Sequence, residues 1–264
     1  MRSFEGTVLI TGASAGIGEA TARAFAAAGA RLVLTARRAD RLRDLATDLR
    51  ERHGTESHSL TMDMRDAGVV TRMIEDLPSE WSAIDLLVNN AGLSRGLAPI
   101  QEGSIADWDE MVDTNVKGLL YVSRAVLPGM VSRGRGHVVN LGSIAGHEVY
   151  PGGAVYCATK HAVAAISRGM RIDLMGTPIR VSSIDPGMVE TQFSVVRFHG
   201  DEERAARVYE DVQPLTAADV ADAILFAATR PPHVNVDEVL VMATAQSGAT
   251  RVHRGPLGLQ PRKG

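Results

Sequence analysis

Short runs of β-branched residues and leucine alternate along the chain with longer segments in which apolar residues recur at helical spacing. The first run, Thr7–Thr11, precedes a glycine-rich turn and an alanine-rich helical segment from about Gly18 to Ala28. The later runs predict further strands at Arg31–Thr35, His58–Met62, Ile84–Val88, His137–Leu141, Ile179–Ile184 and Val239–Met242. The longer helical patterns lie at Asp40–Arg52, Ile105–Ser132 and Ala154–Met175. This alternation predicts the α/β class, with a Rossmann-type, doubly wound, parallel seven-stranded sheet and helices on both faces.

No repeat or low-complexity linker divides the chain, so residues 1–264 are interpreted as a single domain. Residues 192–213 are charged and aromatic without a strand pattern, and they are interpreted as a lid over a substrate site. Residues 245–264 are rich in glycine, proline and arginine, which is typical of an extended tail.

Composition narrows the classes of protein that remain. Hydrophobic residues make up 45% of the 264 residues and charged residues 22%, which predicts a folded domain with a sizeable core. The net charge of −3 argues against a nucleic-acid binder. Cys157 is the single cysteine, so no intramolecular disulfide forms and a reducing compartment is expected. Neither a signal peptide nor an uncharged apolar run of about 18 residues is evident, and the expected location is the cytoplasm, away from membranes.

A glycine-rich loop, T-G-A-S-A-G-I-G at residues 11–18, follows the first predicted strand and opens the first predicted helix. Gly12 allows a tight turn, Gly16 lets the backbone approach a pyrophosphate, and Gly18 lets the helix pack closely on the sheet. The start of the helix supplies free N–H groups and a partial positive charge for phosphates. The loop therefore predicts a dinucleotide site.

The end of the second predicted strand indicates which dinucleotide binds. An acid is usual there for the ribose 2′-hydroxyl of NAD, but this strand runs into Arg37 and Arg38, with no acid before Asp40. Two guanidinium groups offer charge-assisted hydrogen bonds to a 2′-phosphate. The predicted cofactor is NADP.

Tyr156 and Lys160 are four residues apart in a helical pattern and therefore share a helix face. A nearby ammonium brings the pKa of a phenol toward the working range of a general acid or base. Ser143 follows the fifth predicted strand, where its hydroxyl can hold a substrate oxygen beside Tyr156. Asn115 is either a polar residue that bends a helix or part of a proton relay through water to Lys160.

These motifs resemble the short-chain dehydrogenase/reductase family in order and spacing over essentially the whole chain. The resemblance rests on T-G-A-S-A-G-I-G at 11–18, N-N-A-G at 89–92, Asn115, Ser143, Y-C-A-T-K at 156–160 and P-G-M-V-E-T at 186–191. It implies a Ser143, Tyr156 and Lys160 triad with Asn115 as a fourth member. Ala15 stands where some NADP-dependent members carry an arginine, which leaves Arg37 and Arg38 to bind the 2′-phosphate.

The same resemblance implies the cofactor contacts. Asp63 and Met64 would recognise the adenine, Val189 would lie near the nicotinamide carboxamide, and Lys160 would also hold the nicotinamide ribose. The full set of cofactor residues is Gly12, Ser14, Ala15, Gly16, Ile17, Gly18, Arg37, Arg38, Asp63, Met64, Asn90, Ala91, Gly92, Tyr156, Lys160, Pro186, Gly187, Val189 and Thr191.

Within the family the chain is similar to the NADP-dependent 3-hydroxy acid dehydrogenases. The similarity rests on stretches at 81–93, 113–119, 124–131, 196–201, 233–236 and 252–254. It implies oxidation of the 3-hydroxyl of a small acid such as serine, allo-threonine or 3-hydroxypropionate. It also implies a homotetramer, or a homodimer, in which the tail reaches a neighbouring subunit.

A small hydroxy acid needs a cation for its carboxylate, because a buried unpaired charge is costly. Arg197 in the predicted lid is the first candidate and Arg95, after the fourth predicted strand, is the second. The histidines have no metal-ligand spacing and no metal is expected. Two alternatives remain open: a reductase of a larger ketone or aldehyde in secondary metabolism, and a non-catalytic NADP-binding sensor.

Overall fold

Seven parallel strands form one sheet in the computed structural model, which describes residues 3–258. The strands are β1 Thr7–Thr11, β2 Arg31–Ala36, β3 Ser57–Thr61, β4 Ile84–Asn89, β5 Gly136–Leu141, β6 Ile179–Pro186 and β7 Glu238–Val241. Their order across the sheet is β3-β2-β1-β4-β5-β6-β7. The predicted doubly wound fold is confirmed, and the predicted strand ends differ from the observed ones by at most two residues.

Helices cover both faces of the sheet. They are α1 Gly16–Ala27, α2 Ala39–His53, α3 Ala67–Glu75, α4 Ile105–Val112, α5 Leu119–Arg133, α6 Ala154–Asp173, α7 Phe193–Arg197, α8 Glu202–Arg207 and α9 Ala217–Ala228. One buried core joins the sheet to α1, α2 and α9, through side chains such as Phe25, Leu42 and Ile224. A second core on the other face contains Val70 of α3 and Val126 of α5.

The strand order reverses direction at β1, which lies between β2 and β4. The connections after β1 and β4 therefore leave the sheet toward opposite faces and open a crevice at the carboxyl ends of these strands. Ligands of open α/β sheets bind at this point, so the fold places the site between the glycine-rich loop and the N-N-A-G turn.

The long helical segment predicted at Ile105–Ser132 is interrupted. A π-helical turn, Asp113–Gly118, separates α4 from α5 and contains Asn115. Such turns shift a backbone hydrogen bond from the fourth to the fifth residue along, and they are frequent at functional sites. The interpretation of Asn115 as a residue at a helix irregularity agrees with this geometry.

The predicted lid, residues 192–213, contains the two short helices α7 and α8. The described part of the tail, residues 245–258, bends back on itself, and an antiparallel bridge joins Gln246 to Val252. The rest of the predicted tail lies outside the described residues. No helix within residues 3–258 combines the length and the apolar content that crossing a bilayer requires.

Candidate active site

The glycine-rich loop turns sharply between β1 and α1. Gly12 has a φ of 67° and Gly16 a φ of 55°, in the left-handed region that favours glycine. A Cβ added to Gly18 would lie 2.4 Å from the carbonyl oxygen of Gly12, so only glycine lets α1 approach the turn this closely. The N-terminus of α1 consequently faces the crevice, as a phosphate site requires.

Two polar side chains connect this loop to the turn after β4. The Asn90 side-chain amide donates to the carbonyl oxygens of Thr11 at 2.8 Å and Gly12 at 3.3 Å. In return, the Thr11 hydroxyl oxygen accepts from the backbone N–H groups of Asn90 and Ala91, both at 3.0 Å. Asn90 therefore lies at the floor of the crevice, and its side-chain N–H groups are already hydrogen-bonded to the loop.

A cleft of about 400 Å³ follows the crevice, within the range typical of small-molecule sites. Of the predicted cofactor residues, those that line it are Gly12, Ser14, Ala15, Gly16, Ile17, Arg37, Arg38, Asp63, Met64, Asn90, Ala91, Gly92, Tyr156, Lys160, Pro186, Gly187, Val189 and Thr191. The remaining one, Gly18, lies behind the loop against Gly12.

Exposed cations border the end of the cleft next to β2. The Arg38 guanidinium donates to the Ser14 hydroxyl at 3.1 Å and to the Ser14 carbonyl at 3.2 Å. Arg37 Nη1 lies 3.9 Å from a carboxylate oxygen of Glu110 on α4. Arg65, which the sequence did not single out, holds the Asp63 carboxylate with two donors and thereby lowers the pKa of Asp63. Of these arginines, Arg37 and Arg38 line the cleft and offer two guanidinium groups to an anion.

The catalytic candidates meet at the opposite end. Ser143 follows β5, and its hydroxyl oxygen accepts the Ala145 N–H at 3.1 Å. Tyr156 is 7% exposed, and burial raises the pKa of its phenol above the ordinary value. The positive charge of Arg197 and a hydrogen bond with Ser143 act in the opposite direction on that pKa. The structure thus brings together the three side chains that the sequence proposed as a set.

Lys160 is buried one turn along α6 from Tyr156. Its ammonium donates to the Leu141 carbonyl at 2.8 Å and lies 5.9 Å from the centroid of the Tyr156 ring. Burial lowers the pKa of Lys160 to about 8, and the negative charge of Asp185 opposes that effect. Lys160 therefore places an ammonium group beside the Tyr156 ring.

Asp185, at the end of β6, was missed in the sequence because His147 and Glu238, which lie near it, are distant along the chain. Its carboxylate is 2% exposed, accepts from the Ser183 hydroxyl at 2.6 Å and lies 2.8 Å from His147 Nε2. Glu238 lies 3.8 Å from the same nitrogen, and the three ligand atoms fall within 4.8 Å of one another. The His147–Asp185 contact has the length of a direct hydrogen bond and needs no ion.

Asn115 lies behind the cleft. Its side chain is 2% exposed and forms hydrogen bonds with the backbone of Leu93 and, at 3.0 Å, with the Thr159 hydroxyl. Thr159 in turn donates to the carbonyl of Tyr156 at 2.7 Å. These bonds occupy the amide of Asn115 and connect the turn after β4 to the first turns of α6.

Arg197, at the end of α7, packs against aromatic rings beside the cleft. Its guanidinium carbon lies 5.0 Å from the ring centroid of Phe193 and 5.4 Å from that of Tyr156. One terminal nitrogen donates to the Tyr150 hydroxyl at 2.9 Å, whereas its Nε is buried with no hydrogen-bond partner among the described residues. A cation with an unused donor therefore lies against the ring of Tyr156.

Arg95 forms its hydrogen bonds with other parts of the protein. Its Nε donates to Glu110 at 2.6 Å, and its Nη1 donates to the carbonyl of Val196 in α7, also at 2.6 Å. The ion pair holds the pKa of Glu110 below its ordinary value. Neither arginine is among the residues that line the cleft, and Arg197 is the one of the two carboxylate candidates whose guanidinium lies over the Tyr156 ring.

A glycine-lined cradle at a helix N-terminus, next to a buried serine, tyrosine and lysine, defines an oxidoreductase that uses a dinucleotide. The chain belongs to the short chain dehydrogenase family, whose model matches residues 6–202. The family resemblance of the sequence is thereby confirmed.

Curated relatives and solved structures agree with this membership. The chain is 48% identical to the NADP-dependent 3-hydroxy acid dehydrogenase of Salmonella typhi, over 94% of this chain and 99% of that protein. It is 44% identical to the enzyme of the same name from Schizosaccharomyces pombe, over 94% and 96%. Among solved structures it is similar to the closed form of serine dehydrogenase complexed with NADP⁺, with a TM-score of 0.88, 45% identity and coverage of 94% and 99%.

Proposed function

We propose that this enzyme oxidises the 3-hydroxyl of a small 3-hydroxy acid, such as serine, allo-threonine or 3-hydroxypropionate, with NADP⁺ as the hydride acceptor, and catalyses the reverse reduction. The observation that carries the proposal is the position of Arg197, a cation with an unused buried donor against the ring of Tyr156. The names of the relatives support the same substrate class and cofactor.

The residues of the cleft fit NADP. The loop at the start of α1 would hold the pyrophosphate, because Gly12 and Gly18 pack so closely against protein atoms that the helix N-terminus faces the cleft. Arg37 and Arg38 would bind the 2′-phosphate, because both are exposed at the end of the cleft next to β2. When bound, NADP⁺ accepts the hydride from the alcohol carbon.

The proton of the substrate hydroxyl would be transferred by a set of three residues, Ser143, Tyr156 and Lys160. Ser143 would donate a hydrogen bond to the substrate oxygen and hold it beside the Tyr156 hydroxyl, because both side chains line the cleft. The Tyr156 oxygen takes the hydroxyl proton in oxidation and returns it in reduction. Lys160 stabilises the phenolate form, and Asn115 acts as a positioning residue through Thr159.

Arg197 would hold the carboxylate of the substrate. Tyr150 fixes the guanidinium from one side, and the rings of Phe193 and Tyr156 border it on others. A carboxylate that pairs with Arg197 keeps the 3-hydroxyl of a short acid within reach of Tyr156, whereas a bulky ketone gains nothing from this cation. The geometry therefore favours a small acid over a larger neutral carbonyl compound.

We propose a homotetramer, with a homodimer as the smaller alternative. Large apolar side chains are exposed on neighbouring helices, including Ile105 of α4, Leu120 of α5 and Ile172 of α6, and an oligomer would cover them. Sedimentation velocity of the purified protein measures the assembly. The cytoplasmic location stays a prediction.

A spectrophotometric assay at the absorbance of reduced nicotinamide tests the substrate class. The panel contains L-serine, D-threonine, L-allo-threonine and 3-hydroxypropionate, each with NADP⁺ and with NAD⁺, and bulky ketones with NADPH in the reverse direction. Turnover of a hydroxy acid with NADP⁺ well above that with NAD⁺ is expected. A preference for the bulky ketones would overturn the proposal.

Tyr156→Phe distinguishes the enzyme from a non-catalytic NADP-binding sensor. Loss of the phenolic proton donor is expected to lower kcat by about 10²–10⁴-fold, while the dissociation constant of NADP⁺ changes little. A wild-type protein that binds NADP⁺ and turns over no member of the panel would favour the sensor.

A further inference from the structure

Glu110 on α4 is the common partner of three arginines from separate parts of the chain. Its carboxylate forms a close two-donor pair with Arg95, at 2.6 and 3.3 Å. Arg65 and Arg37 approach one oxygen of the same carboxylate at 3.8 and 3.9 Å. Contacts of the first kind are hydrogen-bonded ion pairs, whereas the other two are long-range pairs that a competing anion can replace.

The close pair connects Glu110 to the substrate side of the cleft. Arg95 Nη1 donates to the Val196 carbonyl at 2.6 Å, and the neighbouring Gly96 N–H donates to the Arg197 carbonyl at 2.8 Å. Both acceptors lie in α7, whose last residue is Arg197 itself. Glu110 therefore fixes the orientation of Arg95, and Arg95 fixes the end of the helix that carries the proposed carboxylate ligand.

The two looser contacts connect Glu110 to the cofactor side. Arg37 borders the cleft at the proposed 2′-phosphate site and its side chain is 57% exposed, so it is free to turn toward a phosphate. Arg65 is tied to Asp63 by a shorter ion pair at 2.6 Å and is less free to move. A phosphate and the Glu110 carboxylate consequently compete for Arg37.

We propose that Glu110 is a positioning residue that couples the two ends of the cleft. Through Arg95 it holds α7 in place for the substrate. By pairing with Arg37 it lowers the affinity of the enzyme for the 2′-phosphate. This inference rests on the proposed function, because it assigns the phosphate end to NADP and Arg197 to a carboxylate. As a consequence, a change at Glu110 that strengthens cofactor binding weakens the positioning of the substrate.

Glu110→Gln keeps the size of the side chain and removes its charge. The dissociation constant of NADP⁺, measured by fluorescence titration without substrate, is expected to fall about two- to fivefold, the range for a surface ion pair. The dissociation constant of NAD⁺, which has no 2′-phosphate, is expected to stay unchanged. The KM for 3-hydroxypropionate is expected to rise at least fivefold, because Arg95 loses its anchor.

Two further variants separate the two roles. Arg95→Met is expected to reproduce the rise in KM without the tighter binding of NADP⁺, since it disconnects α7 and leaves Glu110 near Arg37. Asp109→Asn removes the same charge from an exposed neighbouring position on α4 and is expected to change none of the three constants. Circular dichroism and thermal unfolding verify that each variant is folded.

Glu110→Gln is expected to strengthen NADP⁺ binding and to raise the KM for substrate. A general loss of structure would instead weaken the binding of both. Weaker NADP⁺ binding in Glu110→Gln, equal changes for NADP⁺ and NAD⁺, or an unchanged KM would each overturn the inference. If the wild-type protein does not prefer NADP⁺ to NAD⁺, the proposed function fails first. That result is distinct from wild-type preference combined with an unresponsive Glu110→Gln variant.

Discussion

Asn115 and Leu93 hydrogen-bond each other in both directions, since Asn115 Nδ2 donates to the Leu93 carbonyl and Asn115 Oδ1 accepts the Leu93 N–H, each at 2.8 Å. Both residues are buried, so neither backbone group has water as a substitute. The side chain of Asn115 thereby replaces the pairing that a neighbouring strand would give to the segment after β4.

Asn115→Ala is expected to lower the free energy of unfolding by about 2–4 kcal/mol, because two buried backbone groups lose their partners. Urea denaturation measures the change. Asn115→Asp is the matched variant, since it keeps the acceptor and turns a carboxylate oxygen toward the Leu93 carbonyl. Stability equal to the wild type in Asn115→Asp would contradict the assignment of the amide donor.

Arg197→Ala is expected to raise the KM for 3-hydroxypropionate by about tenfold or more, since a hydrogen-bonded charge pair contributes about 1.5–3 kcal/mol. The KM for a neutral alcohol should change far less. Steady-state kinetics on both substrates makes the comparison, with Arg207→Ala on the exposed face of α8 as a control. Equal effects on both substrates would rule out a carboxylate role.

Arg37→Ala and Arg38→Ala are each expected to weaken NADP⁺ binding by about tenfold or more and to leave NAD⁺ binding nearly unchanged. Arg38 also donates to Ser14 in the glycine-rich loop, so its loss disturbs the phosphate cradle in addition. Fluorescence titration with both dinucleotides measures the effect. Arg41→Ala, exposed in the first turn of α2, serves as the control, and comparable losses for NAD⁺ would contradict the prediction.

His137 makes stability depend on pH. Burial on β5 lowers the pKa of its imidazole to about 3, and its Nδ1 has no partner among the described residues. The unfolded chain takes up this proton near pH 6.5 and the folded protein does not, so the free energy of unfolding falls as the pH drops from 6.5 toward 3. Above pH 6.5 this contribution is constant.

His137→Gln is expected to remove about 2 kcal/mol of the stability difference between pH 7 and pH 5, at 1.36 kcal/mol per pH unit below 6.5. Urea denaturation at the two pH values measures it. His53→Gln, at the exposed end of α2, is the matched control and should retain the wild-type acid profile. An unchanged difference in His137→Gln would show that another group dominates.

The strands and the glycine-rich loop were predictable because their signals are local. A run such as Thr7–Thr11 is entirely buried, and the turn after it needs glycine at fixed offsets. The short helices α7 and α8 gave no signal, because helices of five and six residues are too short to show a periodicity. The π-helical turn at Asp113–Gly118 escaped for a related reason, since it alters one turn inside an otherwise helical pattern.

Residues of the candidate site were predictable only where they belong to a recognisable sequence motif. Ser143, Tyr156 and Lys160 were found in this way. Glu110 contacts Arg37 and Asp185 contacts His147, each distant along the chain, and an acid on an amphipathic helix or at a strand end has no distinguishing neighbours in sequence. The same reason hid the ion pair of Arg95, whose partner Glu110 lies 15 positions away.

The bonds between Thr11 and Asn90 have a consequence for biosynthesis. These residues are 79 positions apart, so the floor of the cleft does not exist until both have left the ribosome and β1 has paired with β4. Pairing over such separations is slow compared with local helix formation. In a nascent chain the glycine-rich loop is therefore synthesised long before it can bind a nucleotide. Binding of the cofactor stabilises only molecules that have completed folding.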